Sequence, residues 1–446
     1  MAISPRSTPC SPARRASPTR WPKSMASATA AVPSWNSATS GPPPPGRSWP
    51  PREAPTCPLR KTWSRPSCLS SARFHCSSRP LSFSIPASMF SATAPGRAEL
   101  LGNHTDYNDG LVLSLAVNRG TTVTGGPLED NRIRLRSRDL PEAWEGSVKS
   151  IQPGPSGSWF NYVLGVVEEL RRRQIFIGGF ELEAHSTLPI GAGLSSSAAL
   201  EAATALFLKK IYPYELDGLE IARACQAAEH SYTGVQCGLL DQISVLLSRA
   251  GQATFIDCRS FEVRHLPLGG EARFVIVNSG VKHALVAGEY NERRASCEEA
   301  ARLLGKKALR DVTTAELEAA RPLLPATAWK RARHITGENE RVAQAVGFLA
   351  SGRMDAFGRL MSESHESSVR WFENSCEELD FLVEAACAIP GCLGARLSGG
   401  GFGGATINLV EAGAVEAFST RIREAYQSKY GTEPLVLATE ACAGAA

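Results

Sequence analysis

The sequence predicts an α+β protein of more than one domain, and three observations carry the prediction. The chain has 446 residues, which points to two or three domains rather than one. From about residue 90 onward, short apolar or β-branched runs interleave with helical patterns. They do not follow a strict βαβ alternation, so a doubly wound parallel sheet is not expected.

Before that point the texture differs. Residues 1–90 hold 12 Lys+Arg, a single acid (Glu53), 17 of the 29 prolines and 19 serines. Such a stretch cannot bury enough apolar surface to offset its chain entropy. It is expected to be a disordered or spurious Pro/Ser/Arg-rich segment, the product of a start called too far upstream or of a shifted frame. Its length and its lack of amphipathic spacing argue against a transit peptide, and no apolar core of a secretory signal is visible. Its charges are not clustered, so a nucleic-acid-binding tail is unsupported. The net charge of +4 is a sum of +11 in this segment and −7 in the rest.

In the remainder, residues 111–117 and 121–124 read as strands around a turn. Residues 161–171 make an amphipathic helix, 180–184 alternate as a strand, and 195–211 and 219–231 are helices. Strands follow at 253–256, 262–266 and 273–277, then a charged helix at 289–304. Helical patterns dominate 314–388. A strand at 405–410, a helix at 412–430 and a closing strand at 435–439 complete the chain. There is no internal repeat. No run approaches 18 apolar residues, so no transmembrane helix is expected. Eight cysteines follow residue 90 without any CxxC pair, which predicts buried reduced thiols and a reducing, cytoplasmic compartment.

Three segments carry chemistry. Gly96-Arg97-Ala98-Glu99-Leu100-Leu101-Gly102-Asn103-His104-Thr105-Asp106-Tyr107-Asn108 mixes donors and acceptors between glycines. A polar loop would favour such residues, but sugar hydroxyls also need both kinds of group. Pro189-Ile190-Gly191-Ala192-Gly193-Leu194-Ser195-Ser196-Ser197-Ala198-Ala199 follows a strand and opens a helix. Its glycines permit close approach, and the free N–H groups at the helix start favour a phosphate. A serine N-cap is the plainer reading, yet one serine suffices for that. Neither the Gly-Lys-Ser/Thr of a Walker loop nor the dinucleotide fingerprint is present. Ser398-Gly399-Gly400-Gly401-Phe402-Gly403-Gly404 matches GxGxxG literally, but a strand follows it, where a dinucleotide site requires a helix. It is a tight turn, or a glycine loop packed near the phosphate loop. Glu229 lies on a helix and can be a solvated carboxylate. Asp241 lies among Leu239, Leu240 and Ile243, a costly place for an unpaired carboxylate. It is a candidate base or electrostatic anchor, with a helix N-cap as the alternative.

Together these segments resemble the GHMP small-molecule kinases, and within them the branch that phosphorylates galactose. The first looks like that branch's signature, whose usual form is Gly-Arg-Val-Asn-Leu-Ile-Gly-Glu-His-Thr-Asp-Tyr-Asn. The second is similar to the family's Pro-x-Gly-x-Gly-Leu-Ser-Ser-Ser-Ala phosphate loop, and the third to its C-terminal glycine motif. Ser158-Trp159-Phe160-Asn161-Tyr162 resembles the adenine-holding stretch. Ser279-Gly280-Val281-Lys282-His283, followed by Glu289-Tyr290, resembles a further family segment.

The resemblance implies a two-domain α+β fold. A ribosomal protein S5 domain 2-like N-terminal domain would span 91–250, and a ferredoxin-like C-terminal domain 251–446, with the site in the cleft between them. It implies transfer of a phosphoryl group from ATP, with Mg²⁺, to the C1 hydroxyl of galactose. Gly191, Ala192, Gly193, Leu194, Ser195, Ser196 and Ser197 would wrap the phosphates. Ser197 and Glu229 would hold Mg²⁺, and Trp159 and Tyr162 would contact adenine. Asp241 would accept the hydroxyl proton. Arg97 would neutralise charge at the phosphoryl group and keep Asp241 ionised. Asn103, His104, Thr105, Asp106, Gly238 and Tyr290 would line the sugar pocket. Two departures stand out. Asn103 replaces the usual Glu and brings no charge, so the C6 end of the sugar is expected to be read differently. Ala98-Glu99 replaces the usual Val-Asn. The alternatives are another aldose, such as N-acetylgalactosamine, or a non-catalytic sugar sensor. The intact Ser195-Ser196-Ser197-Ala198-Ala199 argues against a sensor. Sugar and ATP are the expected partners, with no nucleic acid and no membrane, and the chain is expected as a monomer.

Overall fold

Two antiparallel-rich sheets organise the computed structural model, which describes residues 89–189, 191–282 and 286–445. The expectation of a disordered or spurious 1–90 therefore lies outside the described residues, except for the last two. The same holds for Ile190 and for His283 in the signature-like segment after Ser279.

The first sheet has eight strands: β1 (Phe90–Leu101), β2 (Leu111–Pro127), β3 (Arg132–Ser137), β4 (Trp144–Ser147), β5 (Phe180–Ser186), β6 (Gln252–Asp257), β7 (Val263–Pro267) and, far along the chain, β12 (Ala441–Cys442). Their order is β4-β3-β5-β2-β6-β7, with β1 and β12 also paired to β2. Helices α1 (Phe160–Arg172), α2 (Ser196–Ile211), α3 (Gly218–Tyr232) and α4 (Leu240–Leu247) accompany it. Leu164, Val167, Phe180, Phe207 and Ile243 share one buried cluster between these helices and the sheet.

The second sheet has the order β11-β8-β10-β9, built from β8 (Ala272–Lys282), β9 (Cys392–Ser398), β10 (Gly403–Glu411) and β11 (Leu435–Thr439). Helices α9 (Glu377–Ala388) and α10 (Val415–Tyr430) cover it through Leu382, Phe418 and Ile422. Between β8 and β9 lie α5 (Val286–Leu303), α6 (Thr314–Ala320), α7 (Ala326–Ala350) and α8 (Met354–Ser367). A third cluster joins the sheets, with Leu113, Leu115 and Phe255 from the first, Phe274 and Ile407 from the second, and Phe357 from α8. Among the described residues, no helix is long and apolar enough to cross a membrane.

Several expectations change. Residues 111–117 and 121–124 are not two strands around a turn; they form the single 17-residue strand β2. Gly120 allows this, because the backbone carbonyl of Ala94 in β1 packs where its Cβ would stand. The first half of the polar signature is not a loop but the end of β1, whose Arg97 and Glu99 face inward. The serine at 195 precedes its helix rather than opening it. Strands β3, β4, β9 and β12 were not expected, and helix α4 was foreseen only in the N-cap alternative for Asp241.

Candidate functional site

A cavity of about 460 Å³ opens where the signature, the phosphate loop and the glycine turn meet. The phosphate loop is shaped by left-handed backbone at Gly191 (φ 77°), Gly193 (φ 65°) and Ser195 (φ 55°). Ser195 does not cap α2 with its side chain. The first N–H groups of α2 therefore stay free for an anion, with the helix dipole behind them. The glycine turn packs directly on this loop. A Cβ on Gly193 would stand 2.8 Å from the Ser398 carbonyl oxygen, and one on Gly399 or Gly404 would stand 3.2 Å from the carbonyl oxygens of Gly193 or Gly191. Two glycine segments some 200 residues apart in sequence thus brace each other by backbone contact.

Asp241, in the first turn of α4, is clamped. Arg97 donates to its Oδ1 from Nε (2.8 Å) and Nη2 (2.6 Å). The Ser195 hydroxyl donates to Oδ2 at 2.6 Å. Arg97 also donates to the Gly193 carbonyl at 2.6 Å. Burial opposes its charge, but the Asp241 carboxylate beside it raises its pKa. Ser195 lines the cavity with the rest of the loop, and its hydroxyl also ties that loop to the carboxylate. The helix N-cap alternative for Asp241 falls, since Leu239 occupies that position.

The sugar-loop residues sort into two groups. Asp106 lines the cavity, and its carboxylate rests on the bare Cα of Gly238, where a Cβ would meet Oδ2. Burial, then Asp241 and Glu99, push its pKa up to about 7. His104 also lines the cavity. Burial drives its pKa down to about 3, so the ring is neutral. Nε2 must donate to the Gly400 carbonyl (3.0 Å), which leaves Nδ1 to accept from the Tyr107 hydroxyl (2.8 Å). Tyr290 packs against His104 with ring centroids 5.0 Å apart. Thr105 is a correction: it is buried beneath the loop, where its hydroxyl bonds the carbonyls of Gly102 and Leu111, and it holds the turn rather than the ligand. Asn103 does line the cavity, but its side chain is already engaged within the protein. It is fully buried, its amide donates to Glu99 (3.0 Å) and the Gly399 carbonyl (2.7 Å), and its Oδ1 accepts from Asn374 (2.9 Å).

Glu229 lies at the other end, where it accepts from Gln242 at 2.9 Å and lines the cavity with Ser197. Burial, then Asp241, raises its pKa to about 7. Burial, then Glu229, raises that of the neighbouring Glu201 well above the carboxylate range. Two buried acids without a nearby cation fit a site that a divalent ion completes, and Glu229 and Ser197 offer the hard oxygens that Mg²⁺ prefers. No group of three His, Cys, Asp or Glu residues suited to a metal occurs among the described residues. A second cavity of about 580 Å³ adjoins through Ser196, Ser197 and Tyr162 and reaches Trp159. The Trp159 indole N–H donates to the Glu142 carbonyl at 3.0 Å, fixing the ring.

Sequence reasoning missed the groups that hold the sugar loop from behind. Glu338 of α7 accepts from the backbone N–H of Gly102 (2.8 Å) and Asn103 (2.9 Å), with Arg341 at its other oxygen. Burial opposes its charge, but Arg341 holds its pKa well below the usual range. His334, one turn earlier, donates to the Asn103 carbonyl at 3.1 Å. The His-x-x-x-Glu spacing on a helix was the available signal, though nothing in it says which loop it serves.

Three family models match the chain: the galactokinase galactose-binding signature over residues 82–127, the GHMP kinases N terminal domain over 161–249 and the GHMP kinases C terminal region over 345–428. The chain is 44% identical over 358 residues to a Bos taurus galactokinase, covering 78% of this chain and 90% of that one. It is 43% identical over 352 residues to a Chloroflexus aurantiacus galactokinase, covering 77% and 90%. The fold is similar to that of Lactococcus lactis galactokinase complexed with galactose, with a TM-score of 0.78, 31% identity and coverage of 81% and 95%. An L. major mevalonate kinase shares the fold at a TM-score of 0.56 and 16% identity, covering 80% and 97%.

Proposed function

The chain belongs to the galactokinases of the GHMP kinase family, and from that premise we propose how its residues divide the work. An ATP-dependent sugar kinase must align a hydroxyl with the γ-phosphoryl group and neutralise charge. The observation that carries the assignment is the Asp241 clamp, because it joins the base, the arginine and the phosphate loop through bonds of 2.6–2.8 Å.

ATP is proposed to lie with its phosphates on residues 191–197 and its adenine in the second cavity, against Trp159 and Tyr162. The free N–H groups of α2 hold phosphate oxygens. Ser197 and Glu229 would hold Mg²⁺, which would draw charge from the phosphates. The galactose C1 hydroxyl gives its proton to Asp241 as its oxygen attacks the γ-phosphorus of ATP; the bond from that phosphorus to the β–γ bridging oxygen breaks, and ADP leaves. Arg97 and Ser195 keep that carboxylate aimed and charged. Asp106 accepts a second hydroxyl of the sugar, and neutral His104 and Tyr290 wall the cavity.

The domain division expected near residue 250 is proposed to fall between β7 and β8, since the first sheet keeps β6 and β7. A monomer in a reducing, cytoplasmic compartment completes the reading, supported by eight unpaired cysteines among the described residues. The test is ADP release by the purified chain with Mg·ATP and galactose, glucose, N-acetylgalactosamine or galacturonate. Turnover confined to galactose is expected. Faster turnover of N-acetylgalactosamine would replace the substrate, and ATP binding without turnover of any sugar would sink the catalytic reading.

A further inference from the structure

Resting on the galactose-site reading, we propose that Glu99 is a substrate-binding residue that sets sugar selectivity, presenting a carboxylate oxygen to one sugar hydroxyl, with Asn103 and Arg396 as its holders. Glu99 and Arg97 lie two apart in β1 and share a face, since side chains alternate along a strand. Both line the cavity. Only 2% of Glu99 is exposed, so what it shows to the cavity is a small, directed part of its side chain.

Its Oε1 is fully spoken for. It accepts from Asn103 Nδ2 at 3.0 Å and from Arg396 Nη1 at 3.0 Å. Arg396 is itself completely buried, and Glu99 is its one ion-pair partner among the described residues. Oε2 has no hydrogen-bond partner among the described residues, nor is it one of the enclosed orphan oxygens. A carboxylate so placed is an acceptor and nothing else. The ligand it suits is a hydroxyl, and it repels an anion such as a uronate.

The sequence shows why the carboxylate is here. In the usual signature, position 99 is Asn and position 103 is Glu; in this chain they are Glu99 and Asn103. The two substitutions are one exchange. The pair contributes one carboxylate and one amide to one hydrogen bond, and the carboxylate sits beside buried Arg396. The amide side of the pair is turned inward, with both Asn103 N–H groups used within the protein. The carboxylate side keeps an oxygen for the cavity.

The experiment compares the full-length chain with Glu99→Gln, Asn103→Glu and the exchange Glu99→Asn/Asn103→Glu. ADP release is measured with galactose and with the set of galactoses lacking one hydroxyl, alongside ATP binding and thermal unfolding. Wild type is expected to lose about tenfold or more in kcat/KM on one of the deoxy sugars. Glu99→Gln should raise galactose KM about tenfold and treat that deoxy sugar nearly like galactose, with ATP binding unchanged. Asn103→Glu alone sets two carboxylates together and should be worse than the exchange, which restores one.

Should Glu99→Gln fail to fold, the Asn103→Glu and exchange comparison still decides. Equal behaviour of the two overturns the coupled pair. A folded Glu99→Gln with wild-type selectivity among the deoxy sugars reduces Glu99 to a counter-ion for Arg396 and overturns the proposal alone. A wild-type chain that turns over no galactose sinks the kinase reading beneath it as well.

Discussion

Asp241→Asn separates the charge of the clamp from its shape. In the native site, Oδ1 accepts both Arg97 bonds and Oδ2 accepts the Ser195 hydroxyl. An asparagine can keep its oxygen toward Arg97. Its amide then faces Ser195, whose hydroxyl rotates to accept rather than donate. Every contact survives in outline, but the anion and the proposed proton acceptor are gone. A positioned general base contributes about 10²–10⁴ in rate, so kcat should fall by that much. Arg97 is left buried beside a neutral group. Removing a fully buried ionic partner costs about 3–5 kcal/mol. Here the Asp241 side chain is 25% exposed and the amide oxygen remains, so about 1–2 kcal/mol is the reasonable loss. The assay is kcat from ADP release, with ATP affinity by equilibrium binding and stability by thermal unfolding. The expected pattern is a large fall in kcat, ATP affinity within about threefold of wild type and a modest fall in Tm. A kcat close to wild type would refute the role of Asp241 as base. A matching loss of ATP binding would show that the clamp serves only to hold the phosphate loop.

Three further outcomes are expected. Asp106 has its pKa raised to about 7, so kcat/KM for galactose should climb with pH through about 7, and Asp106→Asn should flatten that limb, leaving the part that Glu229 contributes in the same range. For stability, the raised carboxyl favours folding below its unfolded pKa, and this contribution is lost as pH rises through about 7; Asp106→Asn should therefore gain Tm over wild type more at pH 8 than at pH 5. Gly193→Ala must take a left-handed φ of 65° with its Cβ 2.8 Å from the Ser398 carbonyl, where backbone cannot easily yield. ATP KM should rise about tenfold or more, measured by ADP release. Glu338→Ala leaves two N–H groups and Arg341 without their acceptor. About 2–4 kcal/mol should be lost, and galactose KM should rise while ATP binding, measured separately, stays put.

What the sequence shows and what it hides follow from the range of each signal. The helices at 161–171, 195–211 and 219–231 are legible because their apolar faces repeat within a few residues. The left-handed loop before α2 is legible because glycines and serines ahead of an Ala-rich helix are a local statement about backbone and N–H groups. β1 was hidden for a physical reason. Both faces of its second half are buried, and one of them carries Arg97 and Glu99, so charged side chains stand where a buried strand would show an apolar run. The wrong break in β2 has the same origin, since Gly120 looks like a turn but serves a close approach to β1. The pairing of Glu338 with Gly102 and Asn103 spans more than 230 residues, and no local pattern can announce it. Asn103 shows the limit of reading a site by type: it lines the cavity, yet its amide is bonded to Glu99, Gly399 and Asn374.

The charge balance of the cavity makes its own demand. Glu99, Asp106, Glu229 and Asp241 line one cavity, with Glu201 just behind Glu229, and Arg97 is the cation that lines it with them. Asp241 is matched by Arg97, and Glu99 by Arg396 behind the wall. Glu229 and Asp106 are not matched, and each is pushed up to about 7. A nucleotide triphosphate entering this site brings more negative charge against Glu229. The N-terminus of α2 offers only a fraction of one positive charge. ATP should therefore bind poorly alone and well with a divalent cation between its phosphates and Glu229. Chelation of Mg²⁺ is expected to weaken ATP binding by about tenfold or more. In Glu229→Gln the repulsion is gone, so chelation should matter less even as turnover falls. Equilibrium binding of ATP to both proteins, with Mg²⁺ and with a chelator, makes the comparison without relying on activity. An ATP affinity that ignores chelation in the wild type would mean that another group carries the missing positive charge, and Glu229 would lose its role.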